Sequence, residues 1–167
     1  FTINGDIVHN GTTWTGCNLS GCDYTLTNTS GTISGTSTIN FADVIINGSG
    51  SYTNNGTLTI SDRLTGTGAF TNGANADFTY SGNNASGANF DISSFTASAT
   101  GNTVTYGRIG DMQLRTTTDT DNNYYNLIIS TGAAGNDVTL AGDITVDNQL
   151  TMMVGDIILG ANRLTME

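Results

Sequence analysis

The chain runs to 167 residues, room for one domain, and carries 14 acidic residues against 4 basic ones, a formal net charge of −10. Every basic residue is arginine, so no cationic face can be assembled against a polyanion, which excludes nucleic-acid binding. No apolar run approaches the roughly 20 residues of a membrane-spanning helix, and a start at Phe1 without a basic leader gives the expectation of a mature or excised segment.

Apolar residues make up 37% of the chain and gather in short clusters such as Val44-Ile45-Ile46 and Leu127-Ile128-Ile129. That distribution favours many thin buried layers over one thick core. Helical spacing of apolar residues is not sustained anywhere, because Gly, Thr, Asn and Ser interrupt every candidate. The elements expected are therefore strands.

Near the N-terminus, Gly5-Asp6-Ile7 is the first of four Gly-Asp-aliphatic starts, repeated at Gly110-Asp111-Met112, Gly142-Asp143-Ile144 and Gly155-Asp156-Ile157. Asp at a strand entry caps backbone N–H groups, and this reading is preferred to a repeated carboxylate site. Cys17 and Cys22 follow. With His9 as the one histidine they lack the partners of a zinc site, and a local disulfide is preferred to two free thiols, implying an oxidising compartment. Alternation then begins, with Tyr24, Leu26 and Asn28 opposed to Thr25, Thr27 and Thr29, and later Leu58 and Ile60 opposed to Thr57 and Thr59.

The segment Gly48-Ser49-Gly50-Ser51-Tyr52-Thr53-Asn54 returns as Gly66-Thr67-Gly68-Ala69-Phe70-Thr71-Asn72, keeping small, aromatic and amide positions. Around residues 81–102 small-residue loops surround Phe90, Ile92 and Phe95, which predicts a looser junction inside a single domain of residues 1–167. Val104 again sits between Thr103 and Thr105. Asp119-Thr120-Asp121-Asn122-Asn123 then groups oxygen donors into a candidate Ca²⁺ loop (Asp119, Asp121, Asn122, Asn123). It lacks the spacing of an EF-hand, and a solvated turn is the preferred reading. At the C-terminus Gln149-Leu150-Thr151-Met152 returns as Arg163-Leu164-Thr165-Met166, and Leu164, Thr165 and Met166 stop in strand pattern, the expected end-stacking edge.

Asn-Gly pairs at Asn4, Asn10, Asn47, Asn55 and Asn72 mark turns. Copied segments fit stacked rungs in which like residues form ladders, so the fold class expected is all-β, a parallel β-helix-like solenoid, with a β-sandwich as the alternative. The absence of proline agrees, since each rung interior donates its N–H groups to a neighbour.

Tyr52-Thr53-Asn54-Asn55-Gly56-Thr57-Leu58-Thr59-Ile60, the following Leu64 to Ala74, and Leu140-Ala141-Gly142-Asp143-Ile144-Thr145-Val146 resemble the repeats of large secreted surface proteins of Bacteroidota. The likeness covers roughly residues 30–166 and is one of repeat style; the N-terminal third, with its cysteines, matches less closely. It implies a β-helix-like solenoid, export through type IX secretion, an extracellular or cell-surface location, and a role in adhesion or surface filaments. The chain is then a segment of a longer precursor.

Function is accordingly expected to be structural or adhesive, with no enzymatic activity, no catalytic residue and no cofactor beyond the candidate Ca²⁺. Expected partners are neighbouring repeats or further copies of the same protein, and surface glycans. A carbohydrate-binding adhesin module is the alternative, with Trp14 and Tyr124-Tyr125 as sugar-stacking candidates against a packing role. A polysaccharide-active solenoid enzyme and an ice-binding solenoid, the latter suggested by the Thr-x-Thr runs, rank below it.

Overall fold

Alternating side chains on a β-strand point to opposite faces, and in this chain the apolar member of each pair turns inward. In the computed structural model, which describes residues 1–12, 14, 22–119 and 122–167, Leu26, Leu58, Ile60, Phe78, Val104 and Leu127 are fully buried while the intervening threonines stay accessible. No helix is present among the described residues. The strands are β1 (Thr2–Ile3), β2 (Ile7–Val8), β3 (Asp23–Leu26), β4 (Gly31–Ser34), β5 (Ile39–Ile46), β6 (Ser51–Asn54), β7 (Thr57–Asn72) and β8 (Asp77–Tyr80). They continue as β9 (Phe90–Thr96), β10 (Thr103–Tyr106), β11 (Met112–Leu114), β12 (Asn123–Ser130), β13 (Asp137–Leu140), β14 (Ile144–Val154), β15 (Asp156–Ile158) and β16 (Leu164–Met166).

Every strand pairing is parallel, and the chain winds as a β-solenoid of about seven turns. Parallel neighbours cannot be joined by tight hairpins, so a sandwich of antiparallel sheets does not form. Three faces result. The first stacks the start of β5 and of β7 under β8, β10, the middle of β12 and the later part of β14. The second stacks β1, β3, the end of β5, the middle of β7 and the start of β9, with β11, β13 and β15 following. The third stacks β2, β4, β6, the end of β7 and of β9, then the starts of β12 and β14, and β16. Long β7 therefore bends through all three faces.

The 18-residue repeat is a true rung-to-rung copy: Ser51, Tyr52, Thr53 and Asn54 pair in register with Ala69, Phe70, Thr71 and Asn72. The C-terminal repeat is not. Leu164, Thr165 and Met166 stack on Ile144, Thr145 and Val146, whereas Leu150 to Met152 lie on another face against Leu127 to Ile129. A full turn needs three strands and their corners, 18 residues at Asn54–Asn72 and 26 at Asp6–Thr32, so copies nearer together than that fall on different faces.

Residues 81–89 lengthen one turn at a corner. Within that loop the buried Asn84 accepts the Phe90 N–H at 2.9 Å and donates to the Gln113 carbonyl at 2.8 Å, tying the loop to the next turn. Phe90, Ile92 and Phe95 beyond it are fully buried and pair with β7. Inside, aromatic rings continue the stack: Phe70 and Phe95 lie parallel at 6.0 Å, and Phe90 packs tilted on Tyr80 at 4.8 Å.

Candidate functional site

Polar groups inside the stack serve the stack. Asn54 donates to Asn72 Oδ1 at 2.9 Å, Asn102 to the Asn72 carbonyl at 2.7 Å, Asn126 to the Asn102 carbonyl at 2.8 Å, and Asn148 to Asn126 Oδ1 at 2.7 Å. This asparagine ladder climbs one corner, from the buried Asn54, Asn72 and Asn102 to the half-buried Asn126 and the exposed Asn148, and its bonds to the Asn72 and Asn102 carbonyls satisfy backbone groups that a bend in a strand leaves unpaired. The preserved amide of the 18-residue repeat was its one visible signal in the sequence; the later members sit in diverged contexts.

Three of the four Gly-Asp-aliphatic aspartates bond backbone N–H groups, but on the following turn. Asp6 Oδ1 accepts the Thr32 N–H at 2.8 Å, Asp111 Oδ1 that of Asp137 at 3.0 Å, and Asp143 Oδ1 that of Arg163 at 2.7 Å. They are clamps between turns. On the second face Asp23, Asp43 and Arg63 stand in register, and the guanidinium reaches both carboxylates at 2.9 Å. Hydrogen bonding to the buried Asp43, then its charge, raise the Arg63 pKa further. Tyr80, Tyr106 and Tyr124 are fully buried, and burial first of all pushes each hydroxyl well above its ordinary range. Tyr80 donates to the Asp62 carbonyl at 2.8 Å, Tyr124 to the Arg115 carbonyl, and the Tyr106 and Tyr124 hydroxyls bond each other at 3.0 Å.

In the candidate Ca²⁺ loop, Asp121 lies outside the described residues. Asp119 Oδ1 is occupied by the Thr117 hydroxyl at 2.6 Å and the Asn123 N–H at 2.8 Å, and Asn122 takes a left-handed φ of 54°. The described part leaves two buried oxygens without a partner, Asp119 Oδ2 and Asn123 Oδ1, against the six to eight ligands of Ca²⁺. Among the described residues no three His, Cys, Asp or Glu side chains are grouped to hold a metal ion. Among the described residues Asp119 caps the Asn123 backbone. Of the cysteines, Cys17 lies outside the described residues; Cys22 is not a free thiol. Of the sugar-stacking candidates, Tyr124 is fully buried and Trp14 lies edge-on to Phe41 at 5.4 Å, whereas Tyr125 stays half-exposed.

The two ends of the stack differ. At the N-terminal end β1 and β2 are two residues each, and Trp14 lies over Phe41. At the C-terminal end the final turn, formed by the last part of β14, β15 and β16, is paired only on the side of the preceding turn. Its Met152, Met153, Val154, Ile158, Leu159 and Met166 make up most of the exposed large hydrophobic residues among those described. The predicted edge of Leu164, Thr165 and Met166 is the third face of this turn, with Leu164 half-buried against the core. Sequence reasoning missed the other two faces. Their signal was the loss of alternation in Met152-Met153-Val154 and Ile157-Ile158-Leu159, continuous apolar runs where an outward polar residue belongs. Beside this edge a shallow recess of about 410 Å³ is lined by Asn122, Asp143, Ile144, Thr145, Arg163, Thr165 and Glu167.

Among the described residues no helix is long and apolar enough to cross a membrane. Compared with known proteins, the chain matches no family model, no curated protein and no solved structure.

Proposed function

We propose that this chain is a noncatalytic structural or adhesive module of a secreted surface protein, and that it works by stacking end to end. The observation that carries the reading is the bare final turn: unpaired parallel strands on three faces, flanked by exposed methionines and aliphatics. Native sheets blunt such edges with lysine, proline or inward charges. This chain has neither lysine nor proline anywhere, so neither device opposes the pairing of a further strand on this edge. The covering layer is a further solenoid turn, from a neighbouring repeat or a second copy of the same protein. Head-to-tail contacts of this kind extend into filaments when their rotation does not close.

The surface role rests on the resemblance to Bacteroidota repeat proteins together with the cysteine pair, for which a Cys17–Cys22 disulfide would fit an extracellular location. Mass spectrometry of the unreduced protein tests the disulfide: a mass two hydrogen atoms below the reduced form is expected. Electron microscopy of the purified chain tests the stacking reading, with rods longer than one solenoid expected. A glycan array separates the carbohydrate-binding adhesin alternative, which predicts a specific hit that end stacking does not require.

A further inference from the structure

The first face carries a two-column array of hydroxyls. Thr57, Asp77 and Thr103 stand in register in one column, and Thr59, Thr79 and Thr105 in the other. The second column extends to Asn40 on one side and, past Ile128, to Thr151 on the other. No register shift interrupts the pairing of β7, β8 and β10, so the two columns stay in step across the three strands. Parallel strands place its members roughly 4.8 Å apart between rungs and about 6.6 Å apart along a strand.

Three properties define what such a surface can hold. Among the described residues, none of the five threonine hydroxyls in the paired rungs has a protein hydrogen-bond partner. The aromatic residues on the paired strands of this face, Phe41, Phe78, Tyr80 and Tyr106, are all turned inward and buried, so these strands offer no ring platform to a sugar. Asp77 is the one charged residue among the six positions of the array, so ionic recognition is weak. What remains is periodicity in two directions, with a hydroxyl and a methyl group at most points. The third face differs: its threonines Thr32, Thr53, Thr71 and Thr96 form a single column, and Thr96 spends its hydroxyl on Thr71 at 3.0 Å.

We propose that the first face binds ice. Ice presents oxygens in a two-dimensional lattice with repeats close to those of this array. The hydroxyls take lattice oxygens as hydrogen-bond partners, and the methyl groups between them exclude mobile water. This site is separate from the open final turn and does not depend on end stacking.

The test is partition of the purified chain into slowly growing polycrystalline ice, with an ice-recrystallisation assay alongside. The native chain is expected to be retained in ice and to hold crystals small. Thr79→Tyr, which plants a ring in the centre of the array, and Thr105→Tyr, one rung on, are expected to lose both effects while keeping the native circular dichroism and melting temperature. Thr65→Tyr on the second face is expected to keep both. Exclusion of the native chain from ice overturns the proposal, as does ice binding that survives folded Thr79→Tyr and Thr105→Tyr. Capture by an insoluble polysaccharide without retention in ice also overturns it, and assigns the face to a glycan.

Discussion

Asn72 shows how much of this fold hangs on single amides. Its side chain donates to the Ala76 carbonyl at 3.2 Å and the Thr103 carbonyl at 3.0 Å while accepting from Asn54. Removing it orphans buried groups on both neighbouring turns, so Asn72→Ala is expected to cost roughly 2–3 kcal/mol in urea unfolding. Thr53→Ala, an outward change on the neighbouring rung, should stay within about 0.5 kcal/mol. Arg63→Met leaves the Asp43 carboxylate buried without its guanidinium. Losses of that kind run to about 3–5 kcal/mol; with Arg63 at 41% side-chain exposure the low end is expected. The double variant Arg63→Met with Asp43→Asn should recover part of it. Residue roles of this sort were half legible. That aspartates and asparagines cap backbone groups follows from their chemistry, but capping across a turn 26 residues away depends on a register that single residues do not encode.

Strands and corners were the most readable level. The inward positions of β3, β7 and β10 follow directly from alternation, and the 18-residue copy identified one rung contact in register. The shorter C-terminal copy misled because like strand chemistry recurs on all three faces, so similarity alone does not say which copies stack. Glycines separate corners from contacts. Gly48 sits at a corner with φ 63° and open space around it, so Gly48→Ala should cost only the left-handed penalty of about 1 kcal/mol. Gly66, at φ 120°, lies against the Ile46 carbonyl of the neighbouring rung, where a methyl group would overlap backbone. Gly66→Ala is expected to cost roughly 3 kcal/mol or more, and thermal melts of the two variants compare them directly.

Across the whole molecule, the buried tyrosines set the alkaline limit. Burial raises their hydroxyls above the ordinary pKa of about 10, so folded and unfolded chains bind the same protons below that pH. Above it the unfolded chain ionises first, and stability falls by about 1.4 kcal/mol per pH unit for each such tyrosine. Unfolding should therefore begin above about pH 10, with tyrosinate absorbance rising together with loss of strand signal. A gradual absorbance rise before unfolding would show the hydroxyls to be accessible. Chelator is expected to leave the melting temperature unchanged, because the Asp119 turn is held by its own hydrogen bonds; a fall would restore the Ca²⁺ reading.

The open final turn is the feature on which the functional account rests, and it was legible only in part, since an edge can be read from a strand pattern but not from which strands it leaves uncovered. Light scattering of the 167-residue chain across a concentration series tests it most directly. Mass should rise with concentration, and Val154→Lys with Ile158→Lys should return the chain to a monomer. A native chain that stays monomeric throughout the series contradicts the account.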